Sequence, residues 1–270
     1  MSATDAGARI AELLASFRLP TLAAEFVPRF TAAGHGDMLP FVAEVLELEA
    51  GDRRERRVDR LRRASRLPPG KTLATLDEKR LPRPLVVKLR DLARGDFLER
   101  AANVLAFGLP GVGKSHAACA IGHALVEAGH AVLFAPTYQL VQDLLAAKRD
   151  LELPRALRRL DLFDLVILDD IGYVQQSPDE IEVLFTFLAE RYERRSVLIT
   201  SNLVFSEWDR IFKNPMTTAA AIDRLVHHSV ILEFDVPSFR SESAKTANPD
   251  LAAEAAGDNY PRQKKGAKSK

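Results

Sequence analysis

The sequence predicts an α/β fold, in which helices flank a parallel five-stranded sheet and a small all-helical domain precedes it. Between residues 103 and 240, five short apolar runs alternate with stretches of helical periodicity. Such alternation is typical of a parallel sheet covered by helices on both faces. A glycine-rich segment, Gly108–Ser115, lies between the first apolar run and a helical stretch. Before residue 67 the periodicity is helical only.

The composition is that of an ordinary globular chain. Of its 270 residues, 47% are hydrophobic and 28% charged, and the net charge is +1. The average charge therefore identifies no partner. The single cysteine, Cys119, cannot form an internal disulfide, which fits a reducing compartment. The sequence has no N-terminal signal pattern and no apolar run long enough to span a bilayer. We therefore expect a cytoplasmic protein without membrane contact.

Residues 1–50 are predicted to be helical. Two apolar stripes have the spacing of helix faces. They are Ile10, Leu13, Leu14 and Phe17, and then Phe41, Val45, Leu46 and Leu48. Prolines at Pro20, Pro28 and Pro40 separate them.

Residues 52–66 form a basic run with eight arginines and three acids, a local excess of five positive charges. On a helix, one side carries the arginines that we predict to contact nucleic-acid phosphates. They are Arg53, Arg56, Arg57, Arg60 and Arg63. Val58 and Leu61 can pack inward. The alternative is a solvated surface helix in which Asp52–Arg56 and Asp59–Arg63 pair at i,i+4 spacing.

The segment Leu67-Pro68-Pro69-Gly70 breaks this helix, so a domain boundary is predicted after residue 66. Residues 1–66 would then be a helical domain for DNA binding and oligomerisation. Residues 67–102 would be a linker, which we call the connector, with helices at 83–92 and 97–101.

Residues 103–240 would form the core of the α/β domain. Its predicted strands are Val104–Phe107, Ala131–Phe134, Leu165–Leu168, Val197–Thr200 and Val230–Phe234, and its predicted helices lie near 114–128, 137–149, 178–194 and 217–226. Ser177 and Glu180 form a capping box at the start of the third helix. Residues 241–270 are polar and end in a basic cluster, so we expect a disordered basic tail.

The segment Gly108–Ser115 fits the phosphate-binding template G-x-x-x-x-G-K-[ST] at every fixed position. Glycines let successive backbone N–H groups point at an anion, and the following helix adds its positive dipole end. Lys114 can reach the β- and γ-phosphates of ATP, and Ser115 can ligate Mg²⁺. The alternative is a chance glycine turn before a core helix. The predicted nucleotide contacts are Gly108, Pro110, Gly111, Val112, Gly113, Lys114, Ser115 and His116.

Two further strands end in polar groups. Asp169 and Asp170 follow the apolar run Leu165–Leu168, at the strand end where ligands of open α/β sheets bind. Asp169 is placed to hold Mg²⁺ and Asp170 to activate the attacking water. After the next strand, Asn202 can hydrogen-bond the γ-phosphate or that water. Strand-end caps and a Ser-Asn turn are the alternatives.

Two later arginines are candidates for the same site. Arg224 precedes the last strand, and from a neighbouring subunit it could stabilise the transition state. An ordinary surface charge is the alternative, since spacing alone does not distinguish them. Arg240 follows the last strand. His227 and His228 lack a third ligand at metal spacing, so we interpret them as structural or surface residues.

Four segments together resemble the IstB family, ATP-binding helpers of insertion-sequence transposition. They are Gly-Leu-Pro-Gly-Val-Gly-Lys-Ser-His, Leu-Val-Ile-Leu-Asp-Asp-Ile-Gly-Tyr, Leu-Ile-Thr-Ser-Asn-Leu and Ala-Ile-Asp-Arg-Leu-Val-His-His-Ser. The family is similar to the helicase loader DnaC, and both belong to the AAA+ P-loop ATPases. The resemblance covers about residues 5–240.

The resemblance implies an ATPase that binds ATP and Mg²⁺ at subunit interfaces, oligomerises on double-stranded DNA and recruits a cognate transposase. It implies that Asn202 is the first nucleotide sensor and Arg224 the arginine finger. Arg240 matches the second sensor less securely, because the residues after the last strand are too few for a helical lid. The alternatives are a DnaC-like helicase loader, which would prefer single strands, and a small-molecule kinase, which Asp170 and Asn202 disfavour.

Overall fold

The computed structural model describes residues 2–173, 177–208, 211, 215–226 and 229–239. Within these ranges the helices are α1 (Ala3–Ser16), α2 (Pro20–Ala32), α3 (Leu39–Ser65), α4 (Arg83–Leu92), α5 (Asp96–Glu99), α6 (Lys114–Glu127), α7 (Thr137–Arg149), α8 (Leu153–Leu160), α9 (Pro178–Arg191) and α10 (Pro215–Val226). The strands are β1 (Asn103–Gly108), β2 (Val132–Pro136), β3 (Leu165–Asp169), β4 (Ser196–Ser201) and β5 (Ser229–Phe234). Arg240, His227, His228 and the predicted tail lie outside the described residues.

The five strands form one parallel sheet in the order β2-β3-β4-β1-β5. β1 lies between β4 and β5, with Leu105 opposite both Ile199 and Ile231. The predicted parallel five-stranded sheet is therefore confirmed. Because the strands are parallel, the segments that follow β1, β3 and β4 come together at one edge of the sheet.

Helices cover both faces of the sheet, which is why the strands consist of apolar runs without alternation. One core cluster joins β1 and β3 to α4 and α6, and the other joins β3 and β4 to α7 and α9. The capping box of Ser177 and Glu180 is present at the start of α9. Sequence periodicity did not predict α8, a short helix with three arginines that packs through Leu153, Leu157 and Leu160.

Helices α1, α2 and the first half of α3 form a small bundle around Ile10, Leu14, Leu39 and Ala43. The predicted stripe of α1 is confirmed, but the second predicted stripe is wrong for three of its four residues. Phe41, Val45 and Leu48 are 60%, 47% and 67% exposed. Leu39 and Ala43 face the bundle instead, together with Leu46 from the predicted stripe, which is partly buried. Both sets have helical spacing, and only one side of a helix can face its neighbours.

Helix α3 continues without a break from this bundle onto the α/β core. Its second half packs against α6 and β2, and Val58 and Leu61 join the core cluster below it, as predicted. The arginine run therefore lies where the helix crosses the core. After α3, Leu67 packs close to Gly122 of α6, and the His123 Nε2 atom lies 3.0 Å from the Pro68 carbonyl oxygen. The division of the chain at residue 66 stays a prediction.

Across the described ranges, no helix combines the length and hydropathy that a bilayer crossing requires.

Candidate functional site

The loop between β1 and α6 needs glycine at two places for steric reasons. Gly108 has φ 152°, and a Cβ added there would lie 2.6 Å from the Phe234 carbonyl oxygen. Gly113 has φ 99° and immediately precedes the first residue of α6. A side chain is disfavoured in either conformation. The loop therefore meets the positive end of the α6 dipole, which favours an anion there.

Lys114 lies over this loop. Its side chain is largely buried, and the ammonium donates hydrogen bonds to the carbonyl oxygens of Gly108 at 2.6 Å and Leu109 at 2.9 Å. Both acceptors are backbone carbonyl oxygens, so these bonds hold the positive charge at the loop. Val112 is fully buried in the core cluster, so its side chain faces away from the phosphate-binding side of the loop.

Two cavities meet at the loop and share Gly111, Lys114 and Ser115. The smaller, about 50 Å³, is lined by Pro110, Gly111, Lys114, Ser115, Asp170, Thr200 and Asn202. The larger, about 340 Å³, is lined by Lys71, Thr75, Leu76, Asp77, Gly111, Gly113, Lys114, Ser115, His116 and Phe239. The small cavity brings together predicted residues from three separate segments, which follow β1, β3 and β4.

Asp169 and Asp170 are held by hydroxyl groups that the sequence did not reveal. The Thr200 hydroxyl donates to Asp169 Oδ1 at 2.7 Å and accepts the backbone N–H of Asp170 at 2.8 Å. The Thr137 hydroxyl donates to the Asp169 carbonyl oxygen at 2.9 Å. Asp170 has φ 64°, a left-handed conformation that turns the chain sharply after β3. As a result Asp170 lines the small cavity, and Thr200 links it to Asp169.

Asn202 also lines the small cavity. Among the described residues its buried Oδ1 atom has no hydrogen-bond partner. Gly172 packs directly against this amide, and a Cβ at Gly172 would overlap Oδ1. The glycine of Asp-Asp-Ile-Gly is therefore required for the position of Asn202. Most buried polar atoms in proteins have a hydrogen-bond partner, so this oxygen is one of the exceptions among the described residues.

Beside the predicted contact His116, the wall of the larger cavity contains residues that no sequence motif indicated, among them Thr75 and Phe239. His116 Nε2 lies 3.1 Å from Thr75 Oγ1 and 3.2 Å from the Thr72 carbonyl oxygen, which joins α6 to the connector. Phe239 donates its backbone N–H to the Gly111 carbonyl oxygen at 2.9 Å. The Arg80 guanidinium lies 3.9 Å from the centre of the Phe239 ring. The segment after β5 therefore reaches the loop directly, just before Arg240.

Arg224 lies on α10, which packs on α9, but its side chain is outside the described part of the structure. The finger assignment thus stays a prediction. Cys119 is fully buried inside α6, and burial raises the pKa of its thiol to about 12. It remains protonated at neutral pH and is a core residue, as the sequence indicated.

The arginines of α3 are all exposed, but their partners differ from the predicted i,i+4 pairs. Arg53 and Arg56 both reach Glu49, at 2.6 Å and 3.4 Å. Arg62 pairs with Asp59 and with Glu127 of α6, at 2.6 Å and 2.7 Å. The expected pairs of Arg56 and Arg63 with Asp52 and Asp59 are replaced by bonds to backbone oxygens.

Of the five arginines predicted to contact phosphates, three have no carboxylate within ion-pair distance in the described part of the chain: Arg57, Arg60 and Arg63. Arg57 instead donates to the Gly129 carbonyl oxygen at 3.1 Å, just beyond the end of α6. We call Arg57, Arg60 and Arg63 the open arginine row.

Comparison with known proteins gives consistent results. A family model described as IstB-like ATP binding protein matches residues 13–247. An insertion sequence ATP-binding protein of Sinorhizobium fredii is 44% identical over 244 residues, which are 89% of this chain and 82% of that protein. The IS21 ATP-binding protein of Pseudomonas aeruginosa is 37% identical over 207 residues, 77% of this chain and 78% of the relative.

Solved structures give the fold. DnaI matches with a TM-score of 0.53 and 19% identity, over 63% of this chain and 95% of that one. AMPPCP-bound DnaA from Aquifex aeolicus matches with a TM-score of 0.54 and 14% identity, over 73% of this chain and 62% of that one. The AAA+ P-loop fold predicted from the sequence is confirmed.

Proposed function

This chain belongs to the family of IstB-like ATP-binding proteins, and we propose that it is an ATP hydrolase that assists insertion-sequence transposition while assembled on duplex DNA. The observation that carries the proposal is the small cavity in which Lys114, Ser115, Asp170 and Asn202 converge. The cavity combines a positively charged phosphate-binding loop with a carboxylate and an amide from neighbouring strands. ATP binding without hydrolysis would need only the loop.

The two cavities fit the two ends of ATP. We propose that the phosphates bind at the loop and that the nucleoside occupies the larger cavity, between the connector and Phe239. Ser115 and Asp169 are the residues suited to hold Mg²⁺, because hydroxyl and carboxylate oxygens are its usual protein ligands. When bound, Mg²⁺ neutralises charge on the phosphates. Residues of the small cavity supply the groups that act on the water.

Hydrolysis requires a water molecule that is oriented and deprotonated. Asp170 lines the small cavity beside Lys114 and is the proposed base. Asn202 lines the same cavity, and its side-chain amide is suited to hydrogen-bond that water.

We further propose that ATP lies between two copies of the chain, with Arg224 of one copy reaching the phosphates of the next. Arg224→Ala should leave ATP affinity of the isolated subunit unchanged and lower the hydrolysis rate of the assembled protein about 10³-fold or more. Steady-state phosphate release at saturating protein concentration measures the effect. Arg94→Ala is the control, since Arg94 is an exposed arginine after α4. A normal rate in Arg224→Ala would remove the finger assignment.

The proposed DNA contact is the arginine surface of α3, and the open arginine row is its main part. The double variant Arg60→Ala/Arg63→Ala removes two exposed charges that have no carboxylate partner among the described residues. We expect weaker duplex binding and a salt-dependence slope reduced by about two, one for each lost phosphate contact. Fluorescence anisotropy with duplex DNA at several salt concentrations measures both.

The matched control for this experiment is Arg29→Ala/Arg94→Ala, which removes the same charge from α2 and from the end of α4. It should bind DNA nearly as well as the wild type. An unchanged slope in the α3 variant would assign DNA binding to another surface. Tighter binding to single strands than to duplex would instead favour a helicase loader.

A further inference from the structure

We propose that Thr200 is a positioning residue that orients the Asp169 carboxylate toward the metal and fixes the backbone of Asp170. This proposal rests on the proposed Mg²⁺–ATP site and assigns a role to a residue outside the loop, the acidic pair and Asn202. Thr200 is 1% exposed and is the second-last residue of β4 in its pairing with β1, opposite Ala106 and close to the loop. Its side chain lines the small cavity.

The hydroxyl of Thr200 has two partners, and the chemistry of each fixes the direction of its bond. A carboxylate oxygen only accepts, so Thr200 must donate to Asp169 Oδ1, at 2.7 Å. A backbone N–H only donates, so Thr200 accepts from Asp170, at 2.8 Å. One hydroxyl therefore joins two consecutive acidic residues through different groups.

The first bond selects which oxygen of Asp169 remains available. Oδ1 is engaged by Thr200, and within the described residues no hydrogen bond reaches Oδ2. The Thr137 hydroxyl holds the Asp169 backbone carbonyl on the other side. Thr200 thus holds the carboxylate and Thr137 holds only the backbone, and Oδ2 is the oxygen that can contact a cation or its water shell. Hydrogen bonds of this kind orient metal ligands and strengthen binding.

The second bond holds a strained conformation. Asp170 has φ 64°, which is disfavoured for a residue with a side chain. The bond from its N–H to Thr200 stabilises this turn, and the turn directs Asp170 into the small cavity. Loss of the hydroxyl should therefore disturb both acids, whereas loss of only its methyl group should disturb neither.

The test compares Thr200→Val, which keeps the shape and loses the hydroxyl, with Thr200→Ser, which keeps the hydroxyl. The affinity of the full chain for a fluorescent ATP analogue is measured with Mg²⁺ and again with EDTA, and the ratio reports metal-assisted binding. In Thr200→Val we expect the ratio to fall about 10- to 100-fold. The EDTA affinity should not change, because the loop and Lys114 are untouched. Thr200→Ser should restore the wild-type ratio.

Thr137→Val is the matched control, because it removes an equally buried hydroxyl that bonds the backbone of Asp169 and not its carboxylate. It should keep the wild-type ratio. If Thr200→Val does not fold, as judged by thermal unfolding, Thr200→Ala replaces it. A wild-type ratio in the folded variant overturns the role of Thr200 alone. No Mg²⁺ effect in the wild-type protein overturns the proposed metal site as well.

Discussion

Lys114→Ala is expected to abolish nucleotide binding. In the structure the ammonium is largely buried and bonds the carbonyl oxygens of Gly108 and Leu109 at the mouth of the loop. Removing it would eliminate the cation that is proposed to face the phosphates, while the positive end of the α6 dipole would remain. Charge-assisted hydrogen bonds contribute about 1.5–3 kcal/mol each, so affinity should fall about 100-fold or more. Isothermal titration calorimetry with ATP and with ADP measures this loss.

A matched control is available in Lys88→Ala. Lys88 also donates its ammonium to a backbone carbonyl, that of Ile231 at 3.2 Å, but from α4 rather than from the loop. This variant should bind ATP normally. Thermal unfolding of both variants separates loss of binding from loss of fold. Retained affinity in Lys114→Ala would show that the nucleotide binds elsewhere.

Asp170→Asn is expected to separate ATP binding from ATP hydrolysis. The asparagine side chain has nearly the same shape but cannot accept the proton of the attacking water, so the rate should fall about 10²- to 10⁴-fold. The turn should survive, because its bond to Thr200 uses the backbone N–H and because asparagine tolerates left-handed φ values. ATP affinity should therefore be preserved, and the ATP-bound assembly should persist on DNA.

The measurements are phosphate release and the lifetime of the DNA complex after dilution. Asp169→Asn provides the contrast, because it alters the proposed metal ligand and should weaken Mg²⁺-dependent binding as well as hydrolysis. If Asp170→Asn fails to bind ATP or to assemble, its proposed role in activating water is wrong.

Local patterns in the sequence were sufficient for the sheet and for much of the site. The apolar strands, Gly108–Ser115 and the polar residues after β3 and β4 are contiguous signals. Because parallel strands end at one edge, their convergence followed from topology. The role of Thr200 did not follow, because it depends on a hydroxyl that crosses from β4 to β3. Phe239 likewise reaches the loop only through the tertiary path of the chain after β5.

The surface of α3 was harder to predict than the loop. Two apolar sets on that helix have equal spacing, and the packing of α1 decides which is buried. The arginine partners depend on Glu127 and Gly129, which are distant in sequence and adjacent in the fold. A run of arginines in the sequence predicts that a basic surface exists. It does not predict which of those arginines lack a carboxylate partner and can therefore contact a ligand.

Because α3 is one unbroken helix, it can transmit a change of tilt along its length. Its 27 residues span about 40 Å. Its second half is held on the core through Val58 and Leu61 and is followed by Leu67 beside α6, a few residues before Thr72 and Thr75, which His116 contacts next to Ser115. The part of α3 before Val58 is therefore the arm that extends from the core, about 28 Å long, and a tilt of about 10° where the helix meets the core would displace its N-terminal end by about 5 Å. Such a change of tilt would be geometrically amplified at the N-terminal bundle.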